Sequence, residues 1–248
     1  MADIPYDREM TVLEHLEELR YRIIVSAIAI LIGLVIAAGW LTWPIMHLLT
    51  DPADVKLNAI TPGETFFAYM KVALVTGAAL AMPVIVYQLL RFIMPALHPH
   101  ERRYVYAAVP AVTVAFLSGL AFGFYLVVPF AVRYLMGFGG DVVTAIWSVD
   151  AYLSFVSTLL FWIGVSFETP IFIFFLAKLG VVNARQLARY RKYALVGAFV
   201  IGAIITPTPD PLNQSIVAIP IYLLYEFGVF LARFAHPSPA PASRTLQP

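Results

Sequence analysis

The chain is dominated by long apolar runs that carry almost no charge. Residues 23–43 contain no Asp, Glu, Lys or Arg. At about 1.5 Å per helical residue such a run reaches across a hydrocarbon core of about 30 Å. With no water to satisfy its peptide groups, a segment of this kind closes its own hydrogen bonds as an α-helix. Six segments read this way: residues 23–43, 66–93, 104–132, 151–177, 193–206 and 215–234. The fifth is short, about 21 Å by the same rise, and the sixth is interrupted by Pro220. Both are kept as spans because the chain between them, T-P-T-P-D-P-L-N-Q, reads as a tight turn. Only 12% of residues are charged, roughly half the fraction in a soluble domain. The expected class is therefore an all-α integral membrane protein.

With six spans, both termini share one side of the membrane. Thirteen of the sixteen Lys and Arg fall on that side, and only Lys56, Lys71 and Arg133 fall opposite. The positive-inside rule places both termini in the cytoplasm. Residues 44–65 and 133–150 then form the longer outer loops. Residues 1–234 are read as one membrane domain that includes an N-terminal amphipathic cytoplasmic segment, 9–22, in which Met10, Leu13, Leu16, Leu19 and Ile23 recur at helical spacing, so that one face can lie on the membrane or on neighbouring helices. The acidic start (Asp3, Asp7, Glu9) does not read as a cleavable signal sequence. The tail, 235–248, is rich in Pro, Ala and Ser and is expected to be disordered. Pro83, Pro110, Pro129, Pro170 and Pro220 lie within the spans, and such residues bend helices, which favours a concave assembly.

Acidic residues stand out against this background. Glu14, Glu17 and Glu18 crowd the entry to the first span. Glu14, three residues after Thr11, fits a capping box, and Glu17 and Glu18 can pair along the helix with Arg20 or Arg22. The alternative is a cytoplasmic site for a cationic peptide. Glu101, in H-P-H-E-R-R, lies on the same side and is also explained by the positive end of the following helix, which Pro99 would open. Two carboxylates on one rim suit a paired-arginine ligand, since a guanidinium forks onto a carboxylate where an ammonium does not. Phe92 and Leu97 are placed to hold apolar residues beside such a pair.

Glu168 lies deep in the fourth span, where a carboxylate is costly and is read as functional by default. The structural alternative pairs it with Ser166, Thr169 or Gln214. Glu226 is expected to pair with Arg233 or another interfacial base. Asp210 and Gln214, on the turn before the sixth span, are read as groups that pack against a neighbour. No phosphate loop, H-E-x-x-H or G-x-S-x-G motif is present, and there is no cysteine. No enzyme activity, metal, cofactor or nucleic-acid partner is therefore expected.

Seven motifs in order carry a resemblance. They are H-L-E-E-L-R at 15–20, P-V-I-V-Y-Q at 83–88, F-I-M-P-A-L-H-P-H-E-R-R at 92–103, Y-L-S-F at 152–155, G-V-S-F-E-T-P at 164–170, Y-A-L-V-G-A-F-V-I-G at 193–202 and A-I-P-I-Y-L-L-Y-E-F-G at 218–228. Together they resemble the TatC family, the multispanning receptor subunit of the twin-arginine protein translocase, over almost the whole chain. The resemblance implies a concave, glove-like set of six helices with short fifth and sixth spans. It also implies a receptor that binds the twin-arginine signal peptides of folded cargo at its cytoplasmic face. By motif position Glu18 and Glu101 would contact the arginines, with Glu17 placed to share that role. Leu19, Arg20, Phe92 and Pro95 would shape the site. Glu168 would meet the polar residue of a single-span partner helix. Implied partners are TatA- and TatB-type single-span proteins, the lipid bilayer and further copies of the chain, with export driven by the proton-motive force across a bacterial inner membrane. The rival reading is a proton-coupled small-solute carrier that uses Glu168 as its relay.

Overall fold

The computed structural model describes residues 12–51, 57–93, 102–138, 146–206 and 210–235. Thr11, Pro95, Leu97, Pro99, Glu101 and the tail beyond residue 235 lie outside the described residues. Nearly everything described is helical. Helix α1 (Val12–Ile36) continues through a π-turn, Ala37–Leu41, into α2 (Thr42–Thr50). Helix α3 spans Glu64–Ile93. Helix α4 (Arg102–Phe122) likewise passes through a π-turn, Gly123–Val127, into α5 (Val128–Gly137). The remainder is α6 (Val149–Lys178), α7 (Ala184–Arg189), α8 (Arg191–Ile205) and α9 (Pro211–Ala232).

Five of the continuous helical stretches are long and apolar enough to cross a membrane. The fifth expected span is helical but too short to join them, because α8 has only 15 residues. From Val12 onward the amphipathic entry segment runs into the first span as one uninterrupted helix. Pro83, Pro110, Pro170 and Pro220 lie inside helices. Pro129 likewise lies within a continuous helical stretch, directly after the π-turn Gly123–Val127, and such a turn is one of the places where a helix departs from regular α geometry.

Helix α6 is the hub. Its buried face (Tyr152, Leu153, Val156, Leu159, Leu160, Ile163) forms the main core with residues of α2, α3 and the π-turn before α5. The Tyr152 hydroxyl anchors this core by donating to the Leu49 carbonyl at 3.0 Å. The close crossings depend on small residues, as is common where lipid supplies no hydrophobic drive between helices. A Cβ at Gly33 of α1 would lie 2.3 Å from the Gly77 carbonyl oxygen of α3, and one at Gly119 of α4 would lie 2.8 Å from the Gly164 Cα of α6. Backbone meets backbone at both points.

Helix α1 packs chiefly on α3, antiparallel to it. His15 stacks on Phe92, Arg22 reaches Gln88, and Gly33 touches Gly77. The periodic residues Leu13, Leu16 and Ile23 point away from the bundle, each more than half exposed. The apolar stripe read from spacing is thus the outward face, and a more polar stripe makes the helix contact.

At the opposite end of α3, Glu64 organises a polar junction. It is the first residue of the helix and precedes the apolar run that starts at Phe66. Backbone N–H groups of Ile60 and Thr61 donate to its Oε2 at 2.7 and 3.0 Å. The Asp150 N–H donates to its Oε1 at 3.1 Å, and the Ser148 hydroxyl donates to the same oxygen. A short parallel bridge joins Asn58 to Ser148, and Lys71 donates to both Asp150 oxygens at 2.7 and 2.8 Å. The two longer loops are tied together here.

Candidate functional site

Glu18 and Arg22 sit one helical turn apart on the stripe of α1 that meets α3. Arg22 Nη2 donates to Glu18 Oε1 at 2.9 Å, and Arg22 Nη1 donates to Gln88 Oε1 of α3, also at 2.9 Å. The two side chains are only 13% and 12% exposed. The contact is one-pronged. Glu18 Oε2 and Arg22 Nε are buried without a hydrogen-bond partner among the described residues. Burying an unpaired charged-group atom is costly, so an oxygen left in this state favours any donor that can reach it. Leu19 and Phe92 are half-buried beside the pair, and the His15–Phe92 stack, with ring centroids 4.3 Å apart, bounds the site further along α1. Glu17 and Arg20 are exposed. Glu18, through Arg22 and Gln88, and Phe92, through His15, thus both belong to the α1–α3 contact, Leu19 is half-buried, and Glu17 and Arg20 are exposed.

Glu168 is 2% exposed, and its Oε1 has no hydrogen-bond partner among the described residues. It borders a cavity of about 190 Å³ between α3, α4 and α6, otherwise lined by Ala79, Leu80, Met82, Pro83, Val112, Thr113, Phe116 and Leu117. Two of the partners expected for it are engaged elsewhere. The Ser166 hydroxyl donates to the Trp162 carbonyl at 2.7 Å, and Gln214 Nε2 donates to the Phe199 carbonyl at 2.6 Å.

Asp210 and Gln214 are structural in this geometry. Asp210 caps α9, accepting from the Asn213 N–H at 2.7 Å. Gln214, in the first turn, ties α9 to α8 and borders an open apolar groove with Leu195, Val196, Phe199, Val200, Ala203 and Ile204. Glu226 pairs with Arg191 of α8 at 2.7 Å, not with Arg233, and also accepts from Tyr222 at 2.9 Å. The base is the other interfacial one the expectation allowed, because the short α8 brings its own first residue alongside α9.

Spacing alone missed Gln88, whose role depends on the register of α1 against α3, and the Glu64 junction, whose partners are 84 and 86 residues away. The donors around Glu64, the Ser148 hydroxyl foremost, hold its carboxyl down at about 2.

A family model described as Sec-independent protein translocase protein (TatC) matches residues 14–220. Among named relatives, the TatC of Aquifex aeolicus is 42% identical, with 91% of this chain and 96% of that protein covered. The TatC of Carboxydothermus hydrogenoformans is 37% identical over 93% of this chain and 96% of its own. A chloroplast counterpart from Arabidopsis thaliana is 35% identical, covering 93% of this chain and 68% of its own. A crystal structure of a twin-arginine translocase receptor, TatC, superposes with a TM-score of 0.81 at 42% identity, over 90% of this chain and 99% of that one.

Proposed function

Since the chain belongs to the TatC family of Sec-independent protein translocases, we propose that it is the receptor that binds twin-arginine signal peptides through Glu18. The observation that carries this reading is the half-satisfied Glu18 carboxylate, with one buried oxygen that lacks a donor at the end of the α1–α3 contact. An incoming guanidinium finds there an acceptor in a partly desolvated setting, where a charge-assisted bond is stronger than in water. Phe92 and Leu19 supply apolar surface for the residues beside the arginines.

Under the same proposal Glu101 takes the second arginine, and Glu17, Arg20 and Pro95 shape the rim. The α8 segment is the short fifth of six spans in a concave arrangement, with both termini in the cytoplasm of a bacterium and the Glu64 junction on the outer side. Glu168, buried beside its cavity, meets the polar group of a TatA- or TatB-type single-span helix. Cargo then moves on the proton-motive force. The family match favours this reading over a solute carrier.

The test is site-specific crosslinking. A photoreactive residue at position 18 or 101 should capture a signal peptide bearing adjacent Arg-Arg and fail to capture its Lys-Lys counterpart. Equal capture of the two peptides would overturn the reading.

A further inference from the structure

We infer that Arg22 is a resident substitute for the ligand's guanidinium, occupying Glu18 while the receptor is empty and retreating onto Gln88 when a twin-arginine peptide arrives. This rests on the reading of Glu18 as the peptide's carboxylate. Three observations converge on it. The occupant of Glu18 is chemically the same group as the proposed ligand, an arginine side chain, held at 2.9 Å. The hold is partial, because Glu18 Oε2 and Arg22 Nε are both buried and unpaired. A fork-to-fork pair would have satisfied both atoms, so the resident contact is weaker than the best a free guanidinium can make. Finally, Arg22 already has a second acceptor in place. Gln88, itself buried, takes Nη1 at 2.9 Å through a neutral carbonyl. Losing Glu18 therefore does not strand the Arg22 cation.

The consequence is a quantitative one. While Arg22 holds Glu18, the pair is neutral and only the fraction of receptors with an open carboxylate binds. Apparent affinity falls by that fraction for any cationic ligand. The discrimination between Arg-Arg and Lys-Lys is set by the fork geometry at Glu18 and is untouched by the displacement step. A plain i,i+4 helix pair predicts something else, namely a small loss of helix stability and no gain in binding when Arg22 is removed.

Binding of a fluorescent Arg-Arg signal peptide and its Lys-Lys version to the full chain in nanodiscs tests this. Arg22→Gln should tighten both peptides by the same factor, roughly tenfold or more, the size expected of one partly buried charge-assisted contact. Arg22→Lys, which keeps the charge but cannot bridge Glu18 and Gln88 in the same way, should tighten both by less, and it serves if the first variant does not fold. Gln88→Leu should weaken binding in the native background and have no effect in the Arg22→Gln background. Unchanged or weaker binding in both Arg22 variants overturns the inference, as does a changed ratio between the two peptides. Glu18→Gln separates the two levels. If it leaves peptide binding intact, the receptor reading itself has failed. If it abolishes binding while the Arg22 variants gain nothing, only the displacement idea is lost.

Discussion

Two carboxylates stand near opposite ends of α3, and the fold treats them differently. Glu64 accepts from Ile60, Thr61, Ser148 and Asp150, so both of its oxygens are saturated by groups that belong to the protein. Among the described residues Glu18 accepts from Arg22 alone and keeps a buried oxygen bare. A saturated carboxylate has nothing to offer a ligand and serves to fix the loops around it. A half-saturated one in a desolvated setting is an unfinished contact, and completing it stabilises a complex. The contrast separates architecture from recognition without reference to sequence position.

The largest expected effect breaks the contrast at the recognition end. Glu18→Gln should weaken Arg-Arg peptide binding by about thirtyfold or more, the usual penalty for leaving a buried charge without its partner. Its thermal midpoint should barely move. Fluorescence anisotropy and a melting curve on the same sample would decide; a variant that melts early yet still binds peptide would put Glu18 on the structural side. Next in size is Glu64→Gln. It should lower the melting midpoint by several degrees, because an amide cannot accept all four donors, and it should leave peptide affinity alone. If affinity falls with stability, the two ends are coupled and the contrast is false.

Acid sharpens the same comparison. The carboxyl of Glu64 is held at about 2 against an ordinary 4.5, so its folded form favours the ionised state. Its stabilising contribution is complete above the ordinary value and is lost as pH falls from there toward 2. The midpoint of the native chain should therefore fall more steeply between pH 4.5 and 2.5 than that of Glu64→Gln. Parallel curves would show that Glu64 does not carry acid stability.

How much of this was legible beforehand differs between fold and site. Long uncharged runs fixed the helices, because lipid leaves the backbone no other partner. The apolar periodicity of Leu13, Leu16 and Ile23 does not say whether that face meets lipid or neighbouring helices; it is the exposed face, and the α1–α3 contact is made by His15, Arg22, Gln88, Phe92 and two glycines. Glu18 was visible as a candidate, and so was a bond to Arg22 four residues on. Gln88 was invisible, because nothing local sets the register between two helices that meet 66 residues apart. Glu226 shows the same limit, since its true partner, Arg191, depends on where the short α8 lies.

Glu168 extends the contrast to a third carboxylate, one with a buried oxygen left without a hydrogen-bond partner among the described residues. Glu168→Gln should leave the isolated chain's midpoint unchanged or slightly raised, since no bond to Oε1 is lost and a desolvated acid is replaced by a neutral group. Export of a twin-arginine reporter should fall nonetheless, if the unused oxygen serves a partner helix. A destabilised variant would instead place Glu168 with Glu64.

The smallest effect concerns Lys71. Its contacts to Asp150 are short, at 2.7 and 2.8 Å, yet the side chains of the pair are 49% and 30% exposed. Solvent screens such a pair, and measured values for exposed ion pairs run from about 0.2 to 1 kcal/mol. Lys71→Met should therefore cost far less than Glu64→Gln, and the cost should vanish in about 1 M salt, where the screening length is near 3 Å. The loss at Glu64 should survive that salt, because its partners are backbone N–H groups and a hydroxyl, not a mobile cation. Should the two variants melt alike, or should salt erase both losses, the junction would be held by charge pairing alone and Glu64 would lose its claim to be the saturated counterpart of Glu18.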